Sequence, residues 1–218
     1  MNRASLPACL RRFVTAAHRI AAHGLLACSS GNLSWRCFPD RLVITGTGTW
    51  LGTLSVRDVA VCRLRDGALL RGCRPSKELG FHAGILRLRP DVRVVLHYQS
   101  PWATVLACTR PHHGNFFVTP EIPYYVGPVA TVPYRHPGTA ALAAAVVRAL
   151  RGHDLVILRN HGQVVVGTDF ADALQKAVFF EQACRIVLLA GRALRTIPEA
   201  GIRKLLTERA AARKGGGV

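Results

Sequence analysis

A chain of 218 residues, half of them hydrophobic, is long enough to close one core and too apolar to stay unfolded. Its apolar runs, such as 155–158 and 164–166, are too short to span a bilayer, and the first thirteen residues lack a signal-type apolar core, so a cytoplasmic protein without a membrane partner is expected. The net charge of +17 rests on 29 cations, all but four of them arginine, scattered without a basic helix or an aromatic–basic platform; this argues against nucleic acid and suits attraction of a small anion.

In chain order, Leu10, Phe13, Val14, Ala17, Ile20 and Ala21 recur at helical spacing, with Gly24 placed to end that helix. Leu42–Thr45 reads as a strand running into the turn Gly46-Thr47-Gly48. Segments 59–64 and 68–70 flank Asp66-Gly67, a hairpin signal. Pro75-Ser76 opens a helix carrying Leu79, Ile85 and Leu86, with Ser76 as its N-cap. Residues 93–99 read as a buried strand entering Ser100-Pro101. After a Pro-, Gly- and aromatic-rich loop, Pro137-Gly138-Thr139 starts a helix through Leu150. Two short strands, 154–159 and 163–166, bracket Asn160-His161-Gly162. A long helix capped by Thr168 or Asp169 then runs to about Ala190, with Phe170, Leu174, Ala177, Phe180, Cys184 and Val187 on one stripe. No repeat or long linker divides the chain, so residues 1–218 are read as one domain, with a basic, frayed tail from about 198 that ends in Gly215–Gly217. Helices alternate with strands joined by tight turns, which predicts an α/β fold with a mixed, largely antiparallel sheet under helices.

Seven cysteines, an odd number with no C-x-x-C pair, argue against a disulfide framework or structural zinc site and for buried free thiols. Other residues offer chemistry. On a strand, His97 and Gln99 project side by side while Tyr98 points away, a rigid base for two metal ligands. Taken alone, His97 also fits a hydrogen-bonded core histidine. His161 sits in a turn between apolar strands, where it could ligate a metal or cap backbone groups. Glu78 suits either a first-turn glutamate on a helix dipole or a general acid/base. Three small-residue turns, Ser29-Ser30-Gly31-Asn32, Thr45-Gly46-Thr47-Gly48 and Ser76-Lys77, could together cradle one phosphate.

The order of these motifs resembles the class II aldolase/adducin family over roughly residues 10–190. The motifs are Ser30-Gly31-Asn32, Ile44-Thr45 with Gly48, Pro75-Ser76 with Glu78, a short helix with His82, Arg89-Pro90-Asp91-Val92, His97 followed by Ser100-Pro101, Ala103-Thr104, and Asn160-His161-Gly162. The resemblance implies a three-layer α/β fold with a central antiparallel sheet, assembled as a cyclic homotetramer. It implies Glu78 as the proton-transferring group, His97, His161 and Glu78 as ligands of one divalent ion, zinc by expectation, and Gly31, Asn32, Thr47, Gly48, Ser76 and Lys77 as holders of a substrate phosphate. A second acid, Tyr125 or its neighbour Tyr124, would come from an adjoining subunit. The implied activity is aldol cleavage of a phosphorylated ketose through an enediolate. Epimerase, dehydratase and decarboxylase activities on the same scaffold, or a metal-free binding protein of the adducin kind, are the alternatives.

Three positions depart from the family pattern. Gln99 stands where the aldolases carry a second histidine ligand, which would weaken zinc or favour Mn²⁺, Co²⁺ or Fe²⁺. Gly46-Thr47-Gly48 replaces a Pro-Ser-Gly or Pro-Thr-Gly turn. Lys77 replaces a phosphate-contacting serine and keeps the anion site as a point charge.

Overall fold

The computed structural model describes residues 5–109 and 115–214. Eight strands, β1 (Gly31–Phe38), β2 (Arg41–Thr45), β3 (Val59–Arg63), β4 (Leu69–Gly72), β5 (Val94–Tyr98), β6 (Val129–Val132), β7 (Leu155–Leu158) and β8 (Gly162–Gly167), form one sheet in the order β4-β3-β2-β1-β5-β8-β7-β6. Every pairing is antiparallel except β6 with β7, so the predicted mixed, largely antiparallel sheet is what the chain builds.

Helices cover both faces. The residue alternation along β5 shows how the layers form. Val94, Leu96 and Tyr98 face one core with α1 (Leu6–Ala21), α3 (Pro101–Cys108) and α5 (Phe170–Ala190), where Phe13 and Phe180 are fully buried. Val95 faces the other, against α2 (Leu79–Leu88) and α4 (Ala140–Ala149), through Phe81, Ile85, Leu142 and Val146. Each such fully buried large side chain contributes about 1.5–3 kcal/mol.

Several expectations need correcting. The helix after Pro75 starts at Leu79, and Ser76 is not its N-cap. Ser76 N donates to Thr45 O, which holds residue 76 in a turn against β2, and the Ser76 hydroxyl accepts from Glu78 N at 3.2 Å. Gly31 and Asn32, expected in a turn, are the first residues of β1, and the described part of the aromatic loop holds a π-type turn, Ile122–Val126, and β6. The tail is not frayed over its described part. It forms α6 (Glu199–Lys214), where Arg209 donates to Val126 O and to Asp154, while Gly215–Gly217 lie outside the described residues. Of the seven cysteines only Cys9, Cys62 and Cys184 are buried, and Cys28 and Cys108 are exposed. Among the described residues no helix is long and apolar enough to cross a membrane.

Candidate metal and substrate site

The centre of the sheet places the site. Gly31 of β1, Tyr98 of β5 and Gln163 of β8 lie level with one another, so β1 begins, β5 ends and β8 begins at the same edge. β2 ends there too, since it runs antiparallel to β1, and so the turn after Thr45 joins the group. The 45–48 and 74–77 turns are laced together. Gly46 bridges Pro75, Thr47 N donates to Arg74 O, and the Thr47 hydroxyl donates to Pro75 O at 2.7 Å. The two turns thus share one rim, on which Thr47, Gly48 and Lys77 are exposed and Ser76 is buried.

Behind that rim lies a buried cluster. Glu78 immediately precedes α2, His97 is on β5, and His161 is in the β7–β8 turn. His97 Nε2 lies 3.5 Å from Glu78 Oε2, and His161 Nε2 lies 3.5 Å from Glu78 Oε1. The three donor atoms all fall within 4.8 Å of one another. Two donors about 2.1 Å from one zinc, at a tetrahedral angle, stand about 3.4 Å apart, so the spacing fits a shared cation. The other atoms of each ligand support the same reading. His97 Nδ1 is 2.8 Å from Gln163 O, so it donates there and leaves the Nε2 lone pair facing Glu78. Glu78 Oε1 is buried without a hydrogen-bond partner, as is His161 Nδ1. Burial, with the nearby His97, lowers the His161 pKa to about 4 although Glu78 opposes the shift, so the imidazole is neutral and its lone pair is available.

Gly162 is required by proximity. A Cβ there would sit 2.6 Å from Tyr98 O, 2.8 Å from Gln99 Cγ and 3.2 Å from His97 Cε1. Gln99 therefore lies just past the end of β5, packed on the turn that carries His161. Preceding His161, Asn160 takes a left-handed conformation (φ 52°), which asparagine tolerates better than most residues.

Sequence reasoning missed a second layer of polar residues. Asn32 Nδ2 donates to Glu78 Oε2 at 2.9 Å, and its Oδ1 is hydrogen-bonded to His82 Nε2. His82 Nδ1 in turn meets the Ser34 hydroxyl at 2.7 Å. Burial, followed by the neighbouring His97, holds the His82 pKa well below its usual value. On the other side, Glu181 of α5 accepts from the Ser100 hydroxyl and from Trp102 and Ala103 N–H, which anchors the chain leaving β5. The one sequence signal for this layer was His82 standing four residues after Glu78, on the same side of a helix. Tyr124 and Tyr125 are not gathered here. They line a cavity of about 530 Å³ with Asp154, Asp169 and Lys176, around the ends of β7 and β8 away from Glu78.

A mixed, largely antiparallel sheet between helix layers thus brings two imidazoles and a carboxylate together at one edge, beside glycine-rich turns, in an arrangement that could hold one metal ion. Residues 11–188 match the family described as Class II Aldolase and Adducin N-terminal domain, and the chain belongs to that family. The chain is 34% identical over 181 residues, 81% of its length and 85% of the relative's, to a 3-oxo-tetronate 4-phosphate decarboxylase from Haemophilus influenzae. It is 30% identical over 82% of its length, and 95% of the relative's, to an L-fuculose phosphate aldolase from Methanocaldococcus jannaschii. Among solved structures, a putative aldolase/epimerase/decarboxylase from Klebsiella pneumoniae superposes with a TM-score of 0.84 at 28% identity, covering 90% of this chain and 96% of that one. An L-fuculose 1-phosphate aldolase superposes with a TM-score of 0.80 at 23% identity, covering 94% of this chain and 97% of that one, a likeness of fold.

Proposed function

We propose that this chain is a divalent-metal-dependent lyase that breaks a carbon–carbon bond next to the carbonyl of a phosphorylated sugar derivative, with decarboxylation of a phosphorylated 3-oxo sugar acid as its reaction. The observation that carries this reading is the Glu78 carboxylate set between the imidazoles of His97 and His161, one oxygen held by Asn32 and the other without a hydrogen bond. His97, His161 and Glu78 would hold the cation, for which zinc suits two imidazoles and a carboxylate. That cation would supply Lewis acidity toward the carbonyl oxygen as negative charge develops on the substrate.

The residues of the chain do the rest. Gly31, Thr47, Gly48, Ser76 and Lys77 hold the phosphate, and this remote binding orients the reacting carbons. Asn32 keeps its side chain on Glu78. When carbon dioxide leaves, the bonding pair stays on the carbon alpha to the carbonyl as an enediolate, and Glu78 Oε1 passes that carbon a proton drawn from solvent. Loss of carbon dioxide from 3-oxo-tetronate 4-phosphate gives dihydroxyacetone phosphate. Aldol cleavage of a ketose 1-phosphate passes through the same enediolate, and the identity to fuculose phosphate aldolases supports it as the second reading. We further propose a cytoplasmic homotetramer in which Tyr125 serves an adjoining subunit, a proposal that sedimentation of the purified protein tests directly.

The test is to supply the zinc-loaded protein with 3-oxo-tetronate 4-phosphate and, separately, with ketose 1-phosphates. Carbon dioxide release from the first supports decarboxylation, and aldehyde release from the second alone would replace it with aldol cleavage. A zinc-loaded protein active on neither sinks both.

A further inference from the structure

We infer that His82 is a positioning residue that acts through Asn32 to decide which oxygen of Glu78 is held and which is left free. The inference rests on the reading of Glu78 as the cation-holding, proton-transferring group.

Hydrogen-bond chemistry fixes a direction along the chain of contacts. An ionised carboxylate only accepts, so the Asn32 atom 2.9 Å from Glu78 Oε2 must be its amide nitrogen. The amide oxygen then faces His82 and needs a donor, which places the ring proton on Nε2. In the neutral ring Nδ1 is then a bare acceptor, and the Ser34 hydroxyl donates to it at 2.7 Å. Each member donates to the next, from Ser34 to His82 to Asn32 to Glu78.

Burial makes this order matter. Ser34 and His82 are fully buried, and Asn32 and Glu78 are 8% and 7% exposed, so the path has little room for water to replace a lost partner. Turning the Asn32 amide over would set its oxygen against the Glu78 carboxylate and its N–H against the His82 Nε2 proton, so two contacts together hold the amide as it stands. Oε2 is thereby fixed, and Oε1 stays free 3.5 Å from His161. His82 is not part of the three-residue cation cluster, so its influence runs through Asn32. Phe81, beside His82 in sequence, packs edge-on against His97 with ring centroids 6.1 Å apart, so α2 braces both layers.

Three readouts test the inference. Nitrogen-15 NMR of the metal-free protein should show His82 protonated on Nε2 and bare on Nδ1; the opposite tautomer overturns the inference. Zinc titration against a competing chelator should show His82→Leu binding about 10–100-fold more weakly, the range typical for loss of a residue that orients a ligand. His82→Gln, whose amide nitrogen can reach Asn32 Oδ1, should restore most of the affinity, and it also serves if the leucine variant fails to fold. In an Asn32→Ala background the same His82→Leu change should cost no more than about twofold, since its route is gone. Equal losses in both backgrounds, or no rescue by a folded His82→Gln protein, overturn the inference. Where turnover is measured, the loss should fall on kcat, with KM for the phosphorylated substrate little changed. A wild-type protein that passes the zinc and NMR tests yet turns over neither substrate class would overturn the proposed reaction and leave the relay standing.

Discussion

The two ends of the sheet each bury a carboxylate, and the two are treated in opposite ways. Glu78 receives one side-chain hydrogen bond on Oε2 and none on Oε1. Asp154, 2% exposed at the head of β7, is surrounded by Lys176 at 3.0 Å, Arg209 at 2.9 Å, Arg89 at 3.2 Å and Arg213. Burial works against the charge on Asp154, but Lys176, Arg213 and Arg209 outweigh it and hold the carboxyl below the usual aspartate range. A buried anion left short of donors keeps capacity for a cation or a proton. One saturated by cations joins β7, α5 and α6, and its chemistry is spent.

The contrast can be broken at either end. Glu78→Gln should lower turnover by roughly 10²–10⁴-fold, the range for losing a general acid–base, while thermal melting of the metal-free protein is unchanged or slightly raised. An equal loss of stability would place Glu78 with Asp154. Asp154→Ala should destabilise the fold by on the order of 3–5 kcal/mol in urea unfolding, because it strands buried cations, yet leave zinc stoichiometry intact. Acid sharpens the same point. The folded pKa of Asp154 is depressed, so its contribution is complete above the ordinary aspartate pKa of about 3.9 and is lost as pH falls through the folded value. Wild type should therefore lose stability below about pH 4, and Asp154→Ala should show a flatter profile in that window. The smallest effect belongs to the rim. Exposed Lys77 mutated to Ala should raise KM up to about fivefold with kcat unchanged, in line with one solvated charge.

Much of the fold was legible because the periodicity was local. The α1 stripe through Phe13 and Ile20, the hairpin about Asp66-Gly67 and the α5 stripe through Phe180 all appear where the spacing placed them. The misses share a cause. β1 mixes Trp35, Arg36 and Cys37 without clean alternation, and α3, Pro101–Cys108, is apolar nearly all round, so neither carries a clear period. Ser76 had the chemistry of an N-cap, but a long-range hydrogen bond to Thr45 took its backbone elsewhere. For the site, His97, His161 and Glu78 were visible as residue types, yet their convergence follows from strand order, which no local pattern encodes. The Ser34–His82–Asn32 relay depends on His82 of α2 meeting two residues of β1, a tertiary contact, and only the helical spacing of His82 from Glu78 hinted at it.

The convergence at Glu78 has one more outcome, for heat. A cation bound there would clip together the head of α2, the middle of the sheet and the β7–β8 turn, segments drawn from positions 78 to 161. Occupancy would then resist melting, by about 2.7 kcal/mol at a free concentration one hundred times the dissociation constant. Ranking divalent ions by the rise in melting temperature would reveal which of them the pocket prefers before any substrate has been found.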